Sequence, residues 1–304
     1  MIKKILTIVL VLNLSISVFA QKRFDIFSAS GNYNFIETES GNHSKNYEAA
    51  FMSNLNLPIV LKDSSIWYSS LDYQYFAVNN TFSSAYPDFE SFRLHGFIFK
   101  TGLIYRFNSK EFLQILFSPR YMSDFNASFS KSVQLGGLIM YERVKNENFT
   151  YRLGVMYNQE FFGTYIVPVF YLDWNLGRNI KINGLIPIYG KVFYQPSQNF
   201  STGLHFIGLT TTYRINEENY KNYYIDRRSI DLSWFSNVHV WDNFFLEGRL
   251  GYSLSKDYGL FEEDDKITLG LPLVNIGDDR TRQNSEFEPS MFVHLKLVYS
   301  LPVK

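Results

Sequence analysis

Apolar and polar residues alternate along most of this chain. From Thr150 to Glu160, Tyr151, Leu153, Val155 and Tyr157 share one face, and Thr150, Arg152, Gly154, Asn158 and Glu160 share the other. A period of two is that of a strand with unlike surroundings on its two sides. Phe112 to Met122 sets Leu113, Ile115, Phe117 and Tyr121 against Gln114, Ser118 and Arg120, and Ser229 to Trp241 sets Ile230, Leu232, Trp234, Val238 and Val240 against Asp231, Ser233, Asn237 and His239. Asn243 to Ser255 and the final stretch from Met291 to Leu301 repeat the pattern, placing Glu247, Arg249 and Lys296 on polar faces. These pieces outrun the roughly five or six residues typical of strands in soluble sheets. Aromatic residues gather at the ends of the apolar faces, where a membrane strand meets the headgroups.

A soluble β-sandwich also alternates, but the start of the chain points to export. Lys3 and Lys4 precede an apolar run from Ile5 to Leu12, and Val18 and Ala20 stand three and one residues before Gln21. That is the layout of a secretory leader cut after Ala20, which makes 1–20 a signal peptide and 21–304 the mature domain. The apolar run is shorter than the roughly 18–20 residues a spanning helix needs, and no later segment reaches that length. The reading is therefore an all-β, antiparallel transmembrane β-barrel in the outer membrane, exported and inserted by the barrel assembly machinery. Lipid offers backbone amides no partner, so strands that cross it must close on themselves.

Turns fall into two sets. Short ones lie at 62–65, 108–110, 145–148, 176–179, 196–199 and 241–243, and longer ones at 37–46, 79–90, 123–131, 215–227 and 257–288. With short turns periplasmic and long loops external, about fourteen strands result, twelve being the alternative count. The choice turns on Ile180 to Gln195, read as two short strands joined near Leu185–Ile188. A bulge is expected at Gly96, because Arg93 and His95 have the opposite parity to Lys100 and Arg106.

The segments Tyr223-Tyr224-Ile225-Asp226-Arg227-Arg228-Ser229-Ile230-Asp231-Leu232 and Phe245-Leu246-Glu247-Gly248-Arg249-Leu250-Gly251-Tyr252-Ser253-Leu254, with the acidic run from Glu262 to Asp265 and Gly277-Asp278-Asp279, carry a resemblance. They are similar to an uncharacterised outer-membrane β-barrel family, a domain of unknown function of Gram-negative bacteria. The resemblance implies location and fold and brings no catalytic residues.

Composition narrows the chemistry. The 304 residues hold no cysteine, which excludes disulfides, thiolate metal sites and a lipidated N-terminus. Basic and acidic residues number 29 each, about −2 once the leader is gone, which gives no electrostatic reason to bind nucleic acid. No G-x-S-x-G motif accompanies the five histidines, and along one strand His239 lies about 20 Å or more from Ser233 and Asp231. An outer-membrane lipid hydrolase is therefore the weaker alternative, and no catalytic residue, cofactor or metal ligand is assigned. The acidic residues of 257–288 lack the spacing of a dedicated Ca²⁺ loop. The candidate lumen-facing charges are Asp72, Arg120, Glu142, Arg152, Glu160, Asp231, Glu247, Arg249 and Lys296, with His205 and His239 beside them. They suit either a narrow charged channel for small solutes or the salt-bridged interior of a plugged structural or adhesion barrel acting through its loops.

Overall fold

The computed structural model describes residues 23–35, 47–79, 91–217, 220–284 and 286–302. The leader expected at 1–20 and most of the loops expected at 37–46 and 79–90 fall outside them. The strands in chain order are β1 (Arg23–Phe35), β2 (Tyr47–Val60), β3 (Ile66–Asn79), β4 (Ser91–Arg106), β5 (Glu111–Phe117), β6 (Arg120–Ser123), β7 (Val133–Gln134), β8 (Gly136–Asn146) and β9 (Phe149–Glu160). There follow β10 (Gly163–Gly177), β11 (Ile180–Ile186), β12 (Tyr189–Ser197), β13 (Phe200–Glu217), β14 (Tyr220–Trp241), β15 (Phe244–Glu262), β16 (Leu269–Leu271), β17 (Val274–Ile276) and β18 (Ser290–Pro302).

Each wall strand pairs antiparallel with its neighbour, β15 pairs with β18, and β18 pairs with β1. β5 and β6 form one wall strand broken at Ser118–Pro119, and β7 and β8 form the next, broken at Leu135. β16 and β17 make a small hairpin in the loop before β18. The result is a closed, fourteen-stranded antiparallel barrel.

Where the ring is complete, closure leaves no edge, so a strand's two faces become the outside and the inside. The outside is an apolar band in which Leu55, Leu71, Ile115, Leu153, Val155, Leu204, Leu232, Leu250 and Leu295 are all exposed. Aromatic pairs rim it: Tyr105 with Phe107, Phe149 with Trp174, and Trp241 with Phe244 at the short-turn end, and Tyr33 with Phe35 and Tyr47 at the other. A soluble domain does not leave such a belt uncovered, and this one has the form of a membrane barrel's lipid face. Leu153→Arg is accordingly expected to cost about 2–4 kcal/mol near the bilayer midplane. Arg152→Leu, on the opposite face, should cost much less. Equal refolding of the two variants into vesicles would show that these faces do not separate lipid from lumen.

The short turns are tight. Arg178 and Asn179 have φ of 51° and 64°, the left-handed pair of a two-residue hairpin whose twist matches its strands. Ile180 to Ser197 does form two short strands, β11 and β12, joined at Pro187–Ile188. Three expectations are corrected. The β3–β4 register runs unbroken through Gln74↔Gly96, so there is no bulge and Arg93 and His95 stay on the outer face. His95 is held there by the Tyr73 hydroxyl at 3.0 Å and by the Phe125 ring. Gly96 serves packing instead, since a Cβ there would meet the buried Met122 side chain at 3.0 Å. The loop expected at 215–227 is mostly strand, because β13 and β14 stay paired out to Glu217↔Tyr220. The loop expected from 257 begins only after Glu262, since β15 continues to that residue.

Wall height is uneven. β11 and β12 have 7 and 9 residues, whereas β13, β14 and β15 have 18, 22 and 19. The upper parts of β13–β15 form a wing that leans over the mouth. Its free edge reaches the far wall, where β13 forms a parallel bridge to β6 at Arg214↔Ser123. Beneath it a buried apolar core, including Phe76, Leu94, Met122, Tyr213, Ile225 and Leu260, fills the loop end of the barrel.

Candidate functional site

The interior has three zones of charge. At the short-turn end Glu247 is 4% exposed and accepts hydrogen bonds from Lys191 Nζ (2.6 Å) and Arg249 Nε (2.6 Å). β12 and β15 are not neighbours in the wall, so the Lys191 contact crosses the inside of the barrel. Arg249 also meets His205 Nδ1 at 3.1 Å, and Lys191 lies 4.5 Å from the centre of the Phe235 ring. Lys296 stands opposite Glu247 in the β15–β18 register. A polar recess of about 200 Å³ opens beside them, with Asp25 and Arg23 also on its wall.

The middle zone consists of cross-strand pairs. Asp72 bridges Lys100 at 2.7 Å and accepts from Asn54. Glu142 bridges Arg152, whose guanidinium stacks 4.3 Å from the Tyr171 ring centre. Asp231 accepts from Ser253. The register puts Asn54 opposite Asp72, Glu142 opposite Arg152 and Asp231 opposite Ser253, and sets Lys100 diagonally across from Asp72.

The loop-end zone ties the wing to the far wall and the last loop. Glu160 bridges Arg120 at 2.9 Å and also accepts from the Thr212 amide (2.9 Å) and hydroxyl (2.7 Å) on the edge of the wing. Asp124 likewise accepts from the Asn216 amide at 2.8 Å, and Arg214 reaches Glu263 at 3.4 Å. The residues brought together are therefore Arg120 with Glu160, Glu142 with Arg152, and Glu247 with Arg249, while Asp72 and Asp231 keep separate partners. His239 lies apart at the short-turn end, against the Asp242 carbonyl.

One cluster was not among the sequence candidates. Glu48 is fully buried and holds Lys256 Nζ at 3.0 Å, the Tyr258 hydroxyl, Asn34 Nδ2 at 2.6 Å and, at 3.6 Å, Arg227. Arg227 is pressed against the Phe76 ring, 4.1 Å from its centre. Parity was the available signal: Glu48, Asn54 and Asn56 share one face of β2 opposite Phe51, Leu55 and Leu57. Arg227 and Lys256 escaped because their segments read as loop or strand end.

Two acids of the last loop, Glu263 and Asp278, find protein cations. Arg280 is buried and joins Asp226 (3.1 Å), Asp278 (2.8 Å) and the Phe261 ring. Its hydrogen bonds hold the Asp278 carboxyl well below the usual carboxylate range. Among the described residues no group of three or more acids, histidines or cysteines is placed to hold a metal ion.

The chain belongs to the family called domain of unknown function DUF6268, which it matches over residues 16–267. No curated protein matches it in sequence. Among solved structures it is similar to the NanC porin, at 9% identity and a TM-score of 0.38 over 90% of this chain and 98% of that one. It is also similar to a deletion mutant of the monoaromatic hydrocarbon channel TodX, at 11% and 0.44 over 93% and 91%, and to OprB of Pseudomonas putida, at 8% and 0.38 over 97% and 96%. With TM-scores below 0.5, these proteins lend this chain no substrate.

Proposed function

We propose that the protein is an outer-membrane barrel of the transport type, exported by a leader cut after Ala20, carrying small solutes through a charged lumen that its own wing closes. The apolar belt and the closed ring support the membrane setting. The observation that carries the gated reading is how the wing is held. Its edge is latched to the far wall mostly through side chains: Glu160 and Gln134 hold Thr212, Asp124 and the Asn126 carbonyl hold Asn216, and Arg214 reaches the Lys131 carbonyl, with one parallel backbone bridge among them. Side-chain latches can let go while the barrel's own ladder stays intact, and the wing would then swing as a unit. Beyond the latch and the apolar core under it, a polar recess of about 200 Å³ lies among the charges at the short-turn end.

The core of Phe76, Leu94, Tyr213 and Leu260 favours a second reading, a plugged barrel acting through its external loops. Planar-bilayer recording separates the two. Wild type should be silent for most of the record, and Glu160→Gln combined with Asp124→Asn should raise the open fraction severalfold. Silence of a correctly folded double variant would favour the plugged barrel.

A further inference from the structure

The low wall leaves a notch at membrane level. β11 pairs only with Phe170–Gly177 of β10, and β12 only with Phe200–Ile207 of β13, so above the Pro187–Ile188 turn two wall edges face each other with no strand between. The β16–β17 hairpin covers the gap in part, touching β10 through one parallel bridge at Tyr165↔Gly270. Its tip residue Leu273 is 86% exposed.

Behind the notch lies a cavity of about 480 Å³, within the roughly 300–1,000 Å³ range of ligand pockets. Met156 and Val167, from the inner faces of β9 and β10, line it together with Phe206 and Ile230, from the outer faces of β13 and β14. Both faces line one space only because the wing leans inward away from the wall. Below the turn, an apolar furrow of about 270 Å³ runs down the lipid face between Ile186, Leu204 and Leu232. Gly184 and Gly190 oppose each other there, and the Phe206 ring lies over Gly190, where a Cβ would meet it at 2.8 Å. Phe206 borders both spaces, so furrow and cavity adjoin.

We propose that this furrow and cavity take one acyl chain of a surrounding membrane lipid, which enters sideways over the Pro187–Ile188 turn. The inference rests on the membrane setting given above and is independent of whether the lumen conducts. The occupant follows from place and chemistry: the furrow is nearly all apolar and open on the lipid side, where acyl chains are the solvent. A chain seated in the cavity also covers the exposed hairpin tip, Leu273.

The protein would be refolded into phosphatidylcholine vesicles whose lipids carry a diazirine on the acyl chain, irradiated, and its adducts mapped by mass spectrometry. Adducts on Leu153 and Val155 report the ordinary lipid face. Adducts are also expected on Met156 and Val167, which face inward and meet lipid only through the notch. Ser255→Trp, a small exposed residue on the cavity wall, should lower the inner adducts severalfold and leave the outer ones unchanged. Labelling of Leu153 and Val155 with none at Met156 and Val167, or inner labelling indifferent to Ser255→Trp, overturns the inference alone. Absence of label at all four positions removes the membrane setting and the inference with it.

Discussion

Glu48→Ala is expected to destabilise the barrel by about 3–5 kcal/mol, the usual cost of removing one partner from a buried charge network. Glu48 is the carboxylate that Lys256 and Arg227 share, and all three are nearly or wholly out of solvent. Without it two cations are left facing each other in the apolar core. Arg227 keeps its seat between Phe76 and Tyr258, where ring faces partly replace the lost charge. Lys256 lies 6.0 Å from the centre of the Phe292 ring and keeps little else. Adding Lys256→Met to Glu48→Gln should therefore recover a good part of the loss, because an uncharged pair of similar volume asks for no compensation. Denaturant titration of the vesicle-refolded protein, followed by the electrophoretic shift between folded and unfolded forms, would measure both. A cost under about 1 kcal/mol for Glu48→Ala would mean that water reaches the site and that the apolar core at the loop end is not dry.

The parts of the fold visible in the sequence and the parts that were not differ for one physical reason. Where a strand meets lipid on one side and a wetter lumen on the other, solvation writes a two-residue period, and β5, β9, the lower half of β14 and β18 can be read from it directly. The two short strands β11 and β12 were legible too, since Gly184 and Pro187 break the run where the chain reverses. Above the membrane the code changes. In the wing, Thr212, Tyr213, Arg214 and Ile215 are buried in succession, because one face covers the barrel core and the other packs against the far wall and the last loop. With both faces covered there is no alternation to detect, and the charges Asp226, Arg227 and Arg228 read as loop. The same holds for Arg93 and His95. At a strand's outer end the lipid face gives way to headgroups and water, so polar residues are tolerated there, and parity alone suggested a bulge that is absent. Lumen charges could be named from parity, but their partners depend on which strands face each other across the ring. Lys191 with Glu247, and Glu48 with Lys256, are separated by 56 and 208 positions.

With the wing unlatched by Glu160→Gln and Asp124→Asn, Glu247→Gln is expected to turn the conducting path toward anions. Glu247 is the carboxylate held between Lys191 and Arg249, with Lys296 across the strand pair. Its amide analogue keeps the shape and one acceptor oxygen for a lysine donor but removes the negative charge. Three cations then line one stretch of a narrow lumen, with Asp25 the acidic neighbour on the same recess. Charge rings of one sign set ion preference where a pore is narrow, since a permeating ion passes within a few ångströms of the wall. Reversal potentials under a salt gradient would be read for the unlatched barrel with and without Glu247→Gln, and the shift should carry the sign of increased anion preference. It should also shrink as salt rises, because screening shortens the reach of the half-buried Lys296 more than that of buried groups. Glu247→Ala is the harsher change: it strands Lys191 and Arg249 as well, and about 3–5 kcal/mol of lost stability would confound the recording. Identical reversal potentials with and without Glu247→Gln would place the conducting path away from this cluster, and the pairing of Lys191, Arg249 and Glu247 would then serve to hold β12 against β15.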